Sequence, residues 1–364
     1  MSETPIVQFG TSRFLQAHAD LFFAEAETPV SVTVVQSSGD LSRAGRLGAL
    51  AAPEGYPVFI RGILDGRTVD EERRVTSVKR TLSTATDWEE LSRIVTHEAR
   101  AILSNTGDRG YLPSPADTER VPTQAMSYPA KLFHLLAARQ AAGAGPLSIF
   151  PMELVPENGR VLKARVMDIA AANEASGELR DWLEACIWVN SLVDRIVSEP
   201  IEPAGAVAEP YALWAVEAGP GVAAPCIHPA VQVVPDLEEI ERLKLHILNL
   251  GHTVLADIWR REGQDPDRFV RQMMEGEPWA ELDAIYREEV LPGFAAKGYA
   301  EEAAAYMQTT LDRFRNPFLD HRVADIAQNH AQKAERRIQA FIDWVGTSGP
   351  AMGRLQAIVQ RAAS

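Results

Sequence analysis

Cysteine is scarce in this chain. Two in 364 residues, Cys186 and Cys226, cannot build a disulfide framework or a cysteine zinc site, and they fit a reducing compartment. Basic charge is also in deficit. Thirty-six Lys and Arg against 50 Asp and Glu leave −14, which argues against the electrostatic footprint of a nucleic-acid binder. No stretch approaches the roughly 18 apolar residues of a membrane span. The opening MSETPIVQFG has neither a basic region nor an apolar core of a signal peptide, so a cytoplasmic protein is expected. Eight histidines include no His-x-x-x-His pair with an adjacent Glu, and no Gly-x-Ser-x-Gly elbow occurs. Zinc-hydrolase and serine-hydrolase chemistry are therefore not signalled, and no metal is expected.

What remains is the composition of an ordinary globular protein, 46% hydrophobic and 24% charged. At roughly 150 residues per domain the length suggests about two. Ile6-Val7-Gln8-Phe9 reads as a short strand stopped by Gly10. Phe14, Leu15, Ala17, His18, Leu21, Phe22 and Ala24 follow with helical spacing, and Val30–Val35 is β-branched like a buried strand. Strand, glycine turn, helix and strand make a βαβ unit. Asp87 with Glu90 reads as a capping box, Ala101–Leu103 as a strand, and Lys131–Ala142 as a helix. Leu147–Phe150 reads as a further strand and Arg160–Glu174 as a further helix. Such alternation predicts a Rossmann-like, doubly wound parallel sheet of the α/β class. From Leu237 the pattern is helical to the end, so the expected division is an α/β domain over 1–236 and a mostly α-helical domain over 237–364. The Ala-, Gly- and Pro-rich stretch 202–229 carries Tyr211 and Trp214 and reads as an ordered excursion.

Two places could carry chemistry. The turn Gly10-Thr11-Ser12-Arg13-Phe14 could seat a pyrophosphate, because the glycine turns the strand sharply and a helix N-terminus then offers N–H groups. Ser12 stands where a second glycine is usual, and on spacing alone a plain strand-to-helix turn fits equally well. The second strand ends in Gln36 rather than in an acid; Asp40 is the first acid and Arg43 the nearest following cation. The segment LKLHILNLGHTVLADIW is the stronger feature. On an α-helix Asn249 lies roughly 140° from Lys244 and His252 roughly 80°, one broad polar face on a helix otherwise apolar nearly all round. A lysine buried there is either functional or snorkels to the surface. Arg313-Phe314-Arg315-Asn316-Pro317 could clamp a carboxylate or decorate a loop.

Seven blocks, in order along nearly the whole chain, resemble the mannitol dehydrogenase family of long-chain polyol dehydrogenases and reductases. They are QFGTSRFLQA (8–17), SNTGDRGY (104–111), SYPAKL (127–132), PMELVPENG (151–159), NSLVDRIV (190–197), LKLHILNLGHT (243–253) and RFRNPFLDHR (313–322). The resemblance implies a metal-independent oxidoreductase with NAD as cofactor, NADP not excluded. It implies that Lys244 is the acid/base, with a pKa lowered by burial, and that Asn249 and His252 orient and polarise the reacting oxygen. Gly10, Thr11, Ser12, Arg13, Phe14, Leu15, Gln36, Ser104, Asn105, Thr106 and Asp108 would line the cofactor. Glu153, Asp194, Arg195, Arg313, Asn316 and His321 would line the substrate.

Polyol-oxidising members usually carry Asp-Asn where this chain has Glu153-Leu154, which is the uronate-reductase pattern. The implied reaction therefore interconverts a tagaturonate-like keto-sugar acid and an altronate-like aldonate. A mannitol-type polyol dehydrogenase, a fructuronate reductase and a catalytically silent NAD-binding sensor are the alternatives. Monomer and small homo-oligomer both stay open.

Overall fold

The computed structural model describes residues 3–40, 44–107 and 110–363, which form two compact units. The first comprises residues up to Ile60, Glu71–Ala208 and Ala212–Leu237. The second comprises Arg61–Asp70, Glu209–Tyr211 and Glu238–Ser364. Two short pieces of the N-terminal two-thirds of the chain thus belong to the later unit.

In chain order the strands are β1 (Ile6–Phe9), β2 (Val32–Gln36), β3 (Tyr56–Leu64), β4 (Arg67–Val75), β5 (Val78–Ser83), β6 (Ala101–Ser104) and β7 (Ser148–Pro151). They continue with β8 (Ile187–Trp188), β9 (Ser191–Asp194), β10 (Val197–Pro200), β11 (Ala206–Ala208), β12 (Leu213–Glu217) and β13 (Val231–Val234). Six of them make the expected parallel sheet, in the order β5-β2-β1-β6-β7-β8. Its central strands are buried along almost their whole length, as sheets covered on both faces are. On one face Val7, Phe9, Val35, Ile102 and Ile149 pack with Leu91, Ile94, Leu132, Leu136, Leu162 and Val166 of the intervening helices. Chain order reverses between β1 and β6, so the crevice at their carboxyl ends is the ligand position of such sheets.

Two local expectations are corrected. The single helix after Gly10 is two helices, Arg13–Gln16 and Ala19–Glu25, broken at His18 (φ −117°, ψ −101°). One distant and one local side chain take the backbone there. Arg195 donates from Nη1 to the Ala17 carbonyl at 2.7 Å, and His18 Nδ1 lies 2.7 Å from the Phe14 carbonyl. Asp87 makes no side-chain cap to its own helix; its Oδ2 accepts from the Ser83 N–H at 2.8 Å and from the Thr86 hydroxyl at 2.8 Å.

The second unit is helical, and three of its helices contain a turn of π-helix. Glu238–Arg261 is π-helical over Lys244–Asn249, Gly276–Ala296 over Tyr286–Val290, and His330–Val345 over Glu335–Gln339. Ile247, Leu250, Leu255, Tyr286, Phe294, Ile338 and Phe341 are among its fully buried core residues. Among the described residues no helix is long and apolar enough to cross a membrane.

Candidate functional site

In the first unit the site is built at the carboxyl ends of β1, β2 and β6. Gly10 follows β1 with φ +129°, and a Cβ there would lie 2.6 Å from the Asn105 carbonyl oxygen and 2.8 Å from Leu15. Only glycine lets the β1 turn pass this close to β6. Ser12 caps the short helix that follows, its Oγ accepting from the Leu15 N–H at 3.3 Å. The serine in the second-glycine position therefore organises the turn. The Thr11 carbonyl accepts from Gln16 Nε2 at 3.2 Å, Phe14 stacks on His18 with ring centres 3.9 Å apart, and Leu15 is buried. Arg13 is paired with the exposed Glu202 at 2.6 Å.

The Ser104–Thr106 turn after β6 is held by one buried carboxylate. Glu153 accepts from Ser104 Oγ at 3.0 Å, the Thr106 N–H at 3.0 Å, Thr106 Oγ1 at 3.1 Å and the Tyr111 hydroxyl at 2.7 Å. Asn105 Nδ2 donates to the Met152 carbonyl at 2.7 Å. Glu153, expected at the substrate, is thus bonded into the turn expected at the cofactor. Asp108 lies outside the described residues, as does Arg43. Asp194, at the end of β9, and Arg195 are both buried.

At the end of β2, Gln36 is buried and its Nε2 donates to the Asp40 carbonyl at 3.0 Å. The next carbonyl, Ser37, accepts from Lys131 Nζ and Gln124 Nε2, each at 2.8 Å. Burial pulls the Lys131 ammonium down to about 8. Sequence reasoning gave this lysine no role, although it stands inside the quoted SYPAKL block.

In the second unit Lys244 and Asn249 bound the first π turn. Both are half-buried, so Lys244 is neither sealed in the apolar core nor fully out on the surface. Bonds of the i→i+5 type set the two residues about one turn apart along the helix, instead of the 140° separation of an α-helix. His252 is buried, its ring 4.4 Å from Phe314 and 4.9 Å from His321, centre to centre. Burial holds its pKa well below the usual histidine range, and the neighbouring His321, Arg337, Arg313 and Lys333 add to that. His252 is therefore a neutral imidazole at ordinary pH, able to donate one N–H without carrying charge.

Arg313 is buried and forked onto buried Glu209, with Nε to Oε2 at 3.0 Å and Nη2 to Oε1 at 2.8 Å. Its guanidinium also lies over Tyr211, 4.7 Å from the ring centre. Asn316 donates to the Arg61 carbonyl at 3.2 Å and accepts from the Phe318 N–H at 3.0 Å, while Asp312 accepts from the Gly66 N–H at 3.3 Å. Asn316 of the RFRNP block and the preceding Asp312 thus anchor the 61–70 piece of their own unit. The carbonyl of half-buried His321 accepts from the Val270 N–H at 2.9 Å. Among the described residues no cluster of three or more His, Cys, Asp or Glu could hold a metal.

A sequence model of the mannitol dehydrogenase Rossmann domain matches residues 4–225, and one of the mannitol dehydrogenase C-terminal domain matches 236–360. The chain belongs to the mannitol dehydrogenase family. The curated relatives similar to it in sequence include two altronate oxidoreductases. That of Halalkalibacterium halodurans is 34% identical over 327 residues, covering 81% of this chain and 62% of that protein. That of Bacillus subtilis is 28% identical over 374 residues, covering 91% of this chain and 73% of that protein. The match thus spans less than two thirds of the Halalkalibacterium protein. Among solved structures, a D-sorbitol dehydrogenase aligns with a TM-score of 0.82 at 18% identity, over 99% of this chain and 80% of that one. The Pseudomonas fluorescens mannitol 2-dehydrogenase, solved with NAD and D-mannitol, aligns at 0.71 and 20% identity, over 100% of this chain and 79% of that one. At such identities these two show the fold alone.

Proposed function

We propose that this family member is an NAD-dependent oxidoreductase interconverting a keto-sugar acid of the tagaturonate type and its aldonate. The set Lys244, Asn249 and His252 on one segment carries the chemistry of this reading, and the altronate oxidoreductase relatives carry the choice of a sugar acid over a polyol. The first unit fits a dinucleotide: a glycine turn that no Cβ could enter, beside the crevice where strand order reverses. Gly10, Thr11, Ser12, Phe14 and Leu15 would hold the pyrophosphate end, Gln36 the adenosine ribose, and the Ser104–Thr106 turn the nicotinamide end. Bound there, the cofactor supplies or accepts the hydride.

The protein's own part is binding and proton transfer. Lys244 Nζ gives a proton to the carbonyl oxygen as it becomes a hydroxyl, and takes it back in the oxidative direction. Asn249 Nδ2 and the neutral His252 N–H donate to the same oxygen and stabilise the charge that grows on it. A substrate carboxylate bound at Arg313 would have to share or displace Glu209, because both oxygens of Glu209 already occupy the guanidinium fork. His321, whose ring borders His252, is the alternative contact.

The test is a panel of keto-sugar acids, their aldonates and neutral polyols, followed by NADH absorbance with both cofactors. Turnover of the sugar acids with NADH, and little with mannitol or sorbitol, is the expected result. Preference for a neutral polyol would overturn the substrate assignment, and absence of turnover on the whole panel would favour a silent sensor.

A further inference from the structure

The π turn at Lys244–Asn249 is an unfavourable way to run a helix, and something must hold it. Where it returns to α geometry the Leu250 N–H reaches the carbonyls of Ile247 and Leu245, three and five residues back. Two carbonyls of this stretch also receive side-chain donors from far along the chain. The hydroxyl of Tyr286, a residue buried completely, donates to the Ile247 carbonyl at 2.8 Å. Arg337 Nη1 donates to the Asn249 carbonyl at 3.3 Å and to Thr253 Oγ1 at 3.2 Å, and that hydroxyl itself donates to the Asn249 carbonyl at 2.9 Å.

The Tyr286 hydroxyl reaches the helix only because residue 251 is glycine. A Cβ there would stand 1.9 Å from the Tyr286 oxygen, with Phe314 next at 3.0 Å. Both donors sit in π turns of their own, Tyr286 opening 286–290 and Arg337 lying within 335–339. His246 Nδ1, 3.0 Å from the Arg337 carbonyl, ties the first π turn to the third once more.

We propose that Tyr286 and Arg337, with Gly251 as the gap that admits the tyrosine, are positioning residues for the reaction. They hold the 244–249 segment in π register, so that Lys244 and Asn249 stand one turn apart and address one substrate oxygen. Side chains inserted at helix carbonyls are a known cause of departures from the regular ladder. Without them the segment relaxes toward α geometry, and the two groups rotate away from each other. The proposal rests on Lys244 being the acid/base.

Tyr286→Phe removes only the hydroxyl. It is expected to lower kcat about 10- to 100-fold, the range in which small misplacements of reacting groups fall, while the KM for NADH stays unchanged. Gly251→Ala, which pushes the same hydroxyl out, should show the same split between kcat and KM. The double variant should lose less than the product of the two single losses, since with Phe at 286 the methyl no longer meets an oxygen and is left only with the tighter ring contacts at 3.0 Å. Arg337→Met should lower kcat in the same manner, less severely. Wild-type kcat in Tyr286→Phe would overturn the proposal. So would a loss in which kcat and melting temperature fall while the KM for NADH rises, because that is what a merely structural hydroxyl does. Lys244→Met separates the two levels: if it turns over normally, the acid/base reading fails whatever Tyr286 does. If it is inactive while Tyr286→Phe is normal, only the positioning role fails.

Discussion

In the first unit the polar groups stand where parallel strands end, whereas in the second they stand on a helix that has left α geometry. The strand-end groups are held through backbone turns, as Glu153 shows by gathering four donors from Ser104, Thr106 and Tyr111. Their placement follows from sheet topology, and any one bond is a part of a redundant set. The π turn has fewer supports, and its two long-range ones are single side-chain donors from distant helices. One region should therefore absorb single changes as losses of affinity or stability, and the other should register them as losses of rate.

The largest expected effect is at Lys244. Lys244→Met keeps the apolar stem and removes the proton, so turnover should fall by the ~10² to 10⁴-fold typical of a lost general acid/base, with NADH affinity intact by titration. Normal turnover would dissolve the contrast between the units, since the second would then hold no reacting group.

Next comes the buried pair in the second unit. Arg313→Ala strands the Glu209 carboxylate, and denaturant unfolding should show a loss of about 3–5 kcal/mol, much of it recovered in Arg313→Met with Glu209→Gln. If Arg313→Ala instead folds normally and raises only the KM of the sugar acid, the guanidinium is a substrate clamp and Glu209 merely its resting partner.

A third test concerns Asp20 in the first unit, where burial raises the carboxyl to about 7 despite the Tyr56 hydroxyl donating to it at 2.7 Å. Its folded pKa lies above its unfolded one, so the folded state prefers the protonated acid. Stability should be highest below about pH 4 as far as this group is concerned, fall as pH rises toward 7, and level off above. Asp20→Asn should flatten that slope and be more stable to denaturant than wild type at pH 8, by an amount on the order of a few kcal/mol. A slope unchanged in the Asn variant would assign it to another group.

The smallest effect is expected at Arg13. Its partner Glu202 is 70% exposed, and exposed pairs contribute roughly 0–1 kcal/mol. Glu202→Gln should therefore shift the NADPH-to-NADH ratio of kcat/KM only slightly upward. A large rise would mean that Arg13 reads a 2′-phosphate once released.

The sequence by itself determined what short-range pattern can carry. Hydrophobic runs at 6–9, 30–35, 101–103 and 147–150 read as buried strands and overlap four strands of the parallel sheet, and the helical period beyond 237 marked the helical unit. It also displayed the family's blocks, and with them the residues worth testing. Tertiary structure decided everything that depends on partners far along the chain. The helix after Gly10 breaks at His18 because Arg195, some 180 residues later, takes the Ala17 carbonyl. Arg313 is forked because Glu209 is carried to it, and residues 61–70 join the second unit because Asp312 and Asn316 bond to them. The π turn was invisible for the same reason. A period of 3.6 residues is assumed in any helical reading, and its local failure at Lys244–Asn249 is held by Tyr286 and Arg337, about 40 and 90 residues away, which no window of sequence contains.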